Sequence, residues 1–245
     1  MRKSTTVRFI SWRVSRSLPA VSPSKSLSKG EQTRDRILDA AQAIASREGL
    51  EGLTIGGIAE RLAMSKSGVF AHFGSREDLQ IAVIDDYVRR FLAEVFFPAI
   101  KLARGLPRLE AMFENWLDRI VFVEIPNGCV FVSGAVEFDD KEGPVRERMV
   151  AVNRAWQGEM RKAALQAIEV GHLKPGTDPG QLVFELYGVM LSLHHDARLL
   201  RDARAVERAR LSFKRTIGFY AAPAAARPRK GAERKEGKAA VRLAA

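Results

Sequence analysis

The segment Leu62-Ala-Met-Ser-Lys-Ser-Gly-Val-Phe-Ala-His-Phe-Gly-Ser-Arg-Glu-Asp-Leu79 sets Ser65, Lys66, Ser67, His72, Ser75 and Arg76 among apolar anchors. Hydroxyls both donate and accept, whereas lysine and arginine only donate. A surface built this way complements one rich in acceptors and negative charge. The phosphate backbone of duplex DNA is such a surface, and its major groove admits a helix. If the segment is a short helix, its N-terminal amides and the positive end of its dipole add to the attraction.

The flanking residues predict the elements that would present these groups. Ser28-Lys-Gly-Glu31 reads as a capping box. It opens a helix from about Gly30 to Arg47, with Ile37, Leu38, Ala41, Ile44 and Ala45 at helical spacing. Thr54 caps a short helix through Leu62, Ala63-Met64 turns, and Ser65 caps a second short helix through His72 or Phe73. Ser75-Arg-Glu-Asp78 starts a long helix. Two short helices across a tight turn, braced by longer ones, form a helix-turn-helix, whose second helix enters the major groove. Val69 and Phe73 would then face inward.

Thr54 through Leu79, with the preceding helix, resembles the DNA-binding domain of the tetracycline-repressor family. The resemblance rests on Thr54, Ile58-Ala59, Ser65, Phe70-Ala71-His72-Phe73, Arg76-Glu77 and Leu79. It implies phosphate contacts from Thr54, Lys66, His72 and Arg76, and groove-facing or phosphate-facing roles for Ser65 and Ser67. Phe70 departs from the family's usual tyrosine, so apolar contact alone is expected of it, for instance with a thymine methyl. The plain alternative is that Thr54, Ser65 and Ser75 only cap helices, each worth about 0.5–2 kcal/mol. The joint pattern at fixed spacing favours DNA.

Beyond Pro98 the chain stays helical and becomes more aromatic. Leu109, Met112, Phe113, Trp116, Leu117 and Ile120 form a stripe. Cys129 to Phe138 is apolar nearly all round and reads as a buried helix, with a short strand as the alternative for its first half. Gly143-Pro144 and Asp178-Pro179 start two more helices, and a last one runs from about Ala203 to Tyr220. The fold class expected is all-α, about nine helices. A basic extension (1–28) precedes a helix-turn-helix domain (29–76), a larger effector-binding and dimerisation domain (77–221) and a basic tail (222–245).

The resemblance implies that the last two helices pair across a homodimer, through Leu182, Leu186, Val189, Leu193, Val206, Phe213 and Ile217; the plain alternative is that these two stripes pack inward. It also implies an effector pocket among the middle helices, for which Phe113, Trp116, Phe122, Cys129, Trp156 and Tyr187 are candidates, beside Phe131 and Met149, although residues of these types at helical spacing more often fill a core. The partners expected are double-stranded operator DNA, a second copy of the chain and a small-molecule effector, with no membrane.

The 245 residues carry a formal net charge of +11. Residues 1–28 supply +6 and residues 222–245 supply +5, so the stretch 29–221 balances 27 bases against 27 acids. The high charge therefore belongs to two arms, which add salt-sensitive attraction to any polyanion. A single cysteine, Cys129, excludes an internal disulfide and any multi-thiolate metal site. It fits a cytoplasmic setting.

An enzyme is the rival class. Glu137, Asp139, Asp140, Glu142, His172, His194 and His195 are its acid–base candidates, but no phosphate loop, zinc-helix motif or nucleophile elbow accompanies them. His194 and His195 point about 100° apart on a helix, which is poor for joint metal binding. No catalytic residue, metal or cofactor is expected.

Overall fold

The computed structural model describes residues 28–223. The expectations for the two basic arms lie outside the described residues, apart from Ser28, Ala222 and Pro223. Helix α1 (Lys29–Glu48) opens on the expected capping box: Ser28 Oγ accepts from Glu31 N, and Glu31 Oε2 accepts from Ser28 N at 2.8 Å. It ends at Gly49, whose φ of 83° suits glycine. Helices α2 (Ile55–Arg61) and α3 (Lys66–Phe73) follow, and α3 stops at Gly74.

Helix α4 (Arg76–Phe91) runs on without a break through a π-helical turn, Leu92–Phe96, into Phe97–Ile100. Helix α5 (Leu106–Arg119) does the same through Ile120–Glu124 into Ile125–Asn127. Then come α6 (Val130–Phe138), α7 (Pro144–Glu169), α8 (Pro179–His194, extended by a π turn over His195–Leu199) and α9 (Ala205–Tyr220). Counted as continuous rods these are nine helices among the described residues, as expected. The rival strand at Cys129 does not form: Cys129 is instead the N-cap residue of α6.

Two cores organise the chain. One gathers Ile37, Leu38, Ala41, Ile58, Val69, Phe73, Leu79, Val83 and Tyr87 from α1–α4, and continues into Val130 and Phe138 of α6 and Met149 and Val152 of α7. The other joins the end of α4 to α5, the rest of α7, α8 and α9. The first core thus extends past residue 76 into the larger region. The packing shows no gap at the 76/77 boundary drawn from the sequence.

Helix α6 corrects a second expectation. Only one side of it is buried, through Val130, Gly134 and Phe138, while Val136 is 73% exposed. A short helix lying on the surface of a core needs only one inward stripe. No single described helix is long and apolar enough to cross a membrane.

Candidate nucleic-acid interface and effector cleft

Helices α2 and α3 are joined by Leu62–Ser65. Met64 N donates to Ala59 O at 2.8 Å, and Ala63 takes a left-handed φ of 51° to make the turn. Thr54 Oγ1 accepts from Gly57 N at 2.9 Å and Ser65 Oγ from Gly68 N at 3.0 Å. Both hydroxyls therefore cap helices. Capping uses an acceptor lone pair, so the exposed Thr54 hydroxyl keeps a proton to donate, while the Ser65 hydroxyl also lies 3.1 Å from Ser67 Oγ and either of those two can be the donor. The capping and DNA-facing readings are compatible.

Val69 and Phe73 are buried under α3, and Arg34 of α1 lies 4.9 Å over the Phe73 ring. Lys66, Ser67 and Phe70 of α3 are all exposed, with Phe70 at 55%. His72 is half-buried at the end of the helix. The Lys66 stem lies beside Gly56 of α2, where an added Cβ would be 3.3 Å from its Cε.

Arg76 behaves differently from the phosphate contact expected of it. Its Nε donates to Leu53 O at 2.8 Å and its Nη2 to Glu51 O. It thus ties the start of α4 to the loop before α2. The two carbonyls it reaches have no partner in a regular helix, and the guanidinium fork fits both. Two of its donors are therefore engaged within the head.

Farther along α4, an apolar cleft of about 70 Å³ is lined by Val88, Phe91, Leu92, Phe96, Phe97, Phe131, Val152, Ala155, Trp156 and Glu159. Phe91 is its centre, edge-on to Trp156 at 4.8 Å between ring centroids and near Phe131 at 6.3 Å. The π turn of α4 forms part of the wall. Trp156 Nε1 is buried with no hydrogen-bond partner.

Of the six residues proposed for a pocket, only Trp156 lines this cleft. Phe113 is stacked on Phe213 at 3.9 Å inside the core. Trp116 stands behind the wall, 5.6 Å from Trp156 and 5.4 Å from Tyr187. Tyr187 donates to Asn153 Oδ1 at 2.7 Å, and burial pushes its hydroxyl up to about 12. Phe122 is 74% exposed, because it lies on the outer side of the π turn in α5. Cys129 is buried beside Tyr87; burial and then the Glu124 carboxylate push its thiol up to about 12. Met149 also belongs to a core.

Five of the seven residues assigned to a dimer interface are likewise turned inward. Leu182, Leu186, Leu193, Phe213 and Ile217 are buried within the chain, and Val189 and Val206 pack partly against the same core. The outer side of these helices is nonetheless apolar. On α8 it presents Phe184, Gly188 and Leu191, and on α9 Leu211 and Phe219. These positions follow the four- and three-residue steps of one helix face.

The acid–base candidates of the enzyme reading are dispersed. Glu137 Oε2 accepts from Glu51 N at 3.0 Å, and His172 Nδ1 accepts from Leu106 N at 3.1 Å. Asp139, Asp140 and Glu142 are exposed near the start of α7, His195 is exposed, and His194 is buried next to Glu124.

A short capped helix with a polar outer face, locked by a tight turn onto a three-helix head, defines a helix-turn-helix DNA-binding protein. Residues 37–83 match the model for bacterial regulatory proteins of the tetR family, and residues 105–213 match a tetracyclin repressor-like C-terminal domain. The chain belongs to the TetR family of transcriptional regulators, and its role is DNA binding.

Among solved structures, it is similar to a TetR transcriptional regulator from Chloroflexus aurantiacus, at 25% identity and a TM-score of 0.66, covering 79% of this chain and 96% of that one. TetR-family regulators from Cytophaga hutchinsonii and Agrobacterium tumefaciens share the fold. The first is 17% identical with a TM-score of 0.68, covering 80% and 98% of the two chains. The second is 18% identical with a TM-score of 0.68, covering 79% and 100%. No curated protein matches the sequence.

Proposed function

We propose that the protein is a cytoplasmic, ligand-responsive repressor that binds a palindromic operator as a homodimer and is released by a small apolar or amphipathic effector. The observation that carries the reading is α3 itself: Val69 and Phe73 are buried, which leaves Lys66, Ser67 and Phe70 on an open face. One such helix reads few base pairs. Pairing about a two-fold axis would set two of them about 34–36 Å apart on one side of the duplex. The exposed Phe184, Leu191, Leu211 and Phe219 support α8 and α9 as the pairing surface.

The cleft around Phe91 supports an effector that is largely apolar and aromatic, since Phe91, Phe96, Phe97, Phe131 and Trp156 line it. At about 70 Å³ the cleft is small beside the roughly 300–1,000 Å³ usual for ligand sites. Binding therefore requires it to open. Helix α4 is both a wall of the cleft and a brace of the head, so opening would move the two heads relative to each other. An effector changes operator affinity only by its preference between the two arrangements, typically about 1–3 kcal/mol.

Gel-shift with the DNA upstream of the protein's own gene tests the reading. A discrete, competable complex at physiological salt is expected. Binding no tighter than to random DNA rejects it.

A further inference from the structure

Where the head meets the larger region, four elements converge on a buried polar cluster. Tyr87 comes from α4, Glu124 from the π turn of α5, Cys129 from the N-cap of α6 and His194 from the end of α8. Glu124, Cys129 and His194 are each more than nine-tenths buried. One ligand atom of each, a carboxylate oxygen, the thiol sulfur and an imidazole nitrogen, lies within 4.8 Å of the other two.

The hydrogen bonding inside this cluster is incomplete. Glu124 Oε1 is well served, by Arg119 Nε at 3.0 Å and by the Tyr87 hydroxyl. Glu124 Oε2 lies 2.8 Å from His194 Nε2, yet makes no aligned hydrogen bond, and His194 Nδ1 has no partner. Cys129 Sγ is 3.3 Å from the Tyr87 hydroxyl. A buried imidazole nitrogen without a partner, as His194 Nδ1 is, costs on the order of 1–3 kcal/mol. An imidazole and a sulfur crowd the same spot.

We propose that Glu124, Cys129 and His194 form a site for one divalent cation of borderline softness, with zinc the best fit. Thiolate, imidazole and carboxylate together match zinc in softness. Ligand bonds of about 2.0–2.3 Å in a tetrahedron place donor atoms about 3.3–3.8 Å apart. The Glu124–His194 pair, 2.8 Å apart, would spread to reach that, and the Cys129 sulfur, within 4.8 Å of both, would adjust to it. The Tyr87 hydroxyl or a water completes the fourth position.

A divalent cation and Arg119 are offset by the Cys129 thiolate, Glu124 and Glu94, which ion-pairs with Arg119, and one further cation, Arg198, donates to Glu124 O at 2.9 Å. The bound ion would fasten α4, α5, α6 and α8 to one another. Cation binding here does not depend on operator recognition.

The test is a titration of the reduced, metal-free full chain with Co2+, read by thiolate-to-metal charge-transfer absorption. One Co2+ per chain is expected, with the absorption bleached by added Zn2+, which binds such sites more tightly. His194→Gln and Glu124→Gln should each weaken binding at least ten-fold, and the exposed His195→Ala should not. Absence of the band in the unaltered chain, or folded H194Q or E124Q binding as tightly as the parent, overturns the proposal. X-ray absorption at the zinc edge of the unaltered chain needs no variant. It should show one sulfur and imidazole scattering around the ion, and a shell without sulfur rejects the site.

Discussion

The Ser46 carbonyl oxygen of α1 occupies the space a side chain on Gly128 would need: an added Cβ would lie 1.5 Å from it. Gly128 also has a φ of 104°. The head and the α5–α6 loop thus touch backbone to backbone, and nearby Glu51 N donates to Glu137 of α6 at 3.0 Å. Gly128→Ala should force this contact apart and strain the backbone, costing about 1–3 kcal/mol for the dihedral alone. A clear fall in melting temperature is expected by calorimetry. An unchanged melting temperature would mean that the head does not rest on this loop.

Lys66 and His72 are proposed to meet phosphates from opposite ends of α3. Replacing both by alanine should weaken binding to every duplex. It should also flatten the dependence of log K on log salt by about one for each phosphate that the variant leaves unneutralised. Fluorescence anisotropy across a salt series reads both quantities. If neither moves, α3 does not face the backbone.

Arg76 should separate from that pair. Its guanidinium holds Leu53 O and Glu51 O, so Arg76→Ala leaves the part-buried Leu53 carbonyl unpaired, at a cost of about 1–3 kcal/mol, and frees the exposed Glu51 carbonyl. Melting temperature should drop while the salt slope of DNA binding stays near that of the parent. A reduced slope with unchanged stability would restore Arg76 as a phosphate contact.

The difference between legible and illegible features follows from range. Ser28, Thr54, Ser65 and Ser75 cap helices through bonds to residues three positions away, so their sequence neighbourhood is sufficient. Phe122 sits in the run Ile-Val-Phe-Val, where every position looks buried. The π turn there shifts the register of the face and turns Phe122 to solvent. Helix α8 is apolar on two sides, and its composition does not say which side meets its own core. Leu186 and Phe184 differ only in that.

The cluster at Glu124 was hidden for a further reason: its members come from four helices. Arg119 and Glu124, two charges five residues apart in an apolar run, were the available signal. A five-residue step returns to the same face in a π turn.

An aromatic guest should enter the cleft beside Phe91, and Ala155 on its wall offers the least disruptive way to close it. Ala155→Leu would fill much of the space at a site away from α3. Binding of a fluorescent anilinonaphthalene dye should weaken at least ten-fold, with operator affinity retained. Equal dye binding in both proteins would place the guest elsewhere.

The last prediction concerns the outer face of α8 and α9. Burying apolar surface contributes about 25 cal/mol per Å², and Phe184 at 74% exposed has most of its ring to offer. Phe184→Glu puts a charge at the centre of the proposed pairing surface without touching the inner core. Sedimentation velocity should show the variant as a folded monomer and the parent as a dimer, and operator affinity should fall with the dimer. Leu186→Ala is the opposite case. It hollows the core that Leu186 fills, so it should lower stability by about 2–5 kcal/mol and leave association intact in the molecules that remain folded. If instead F184E stays dimeric and L186A dissociates, the pairing surface is the inner stripe and the chain must open to form it.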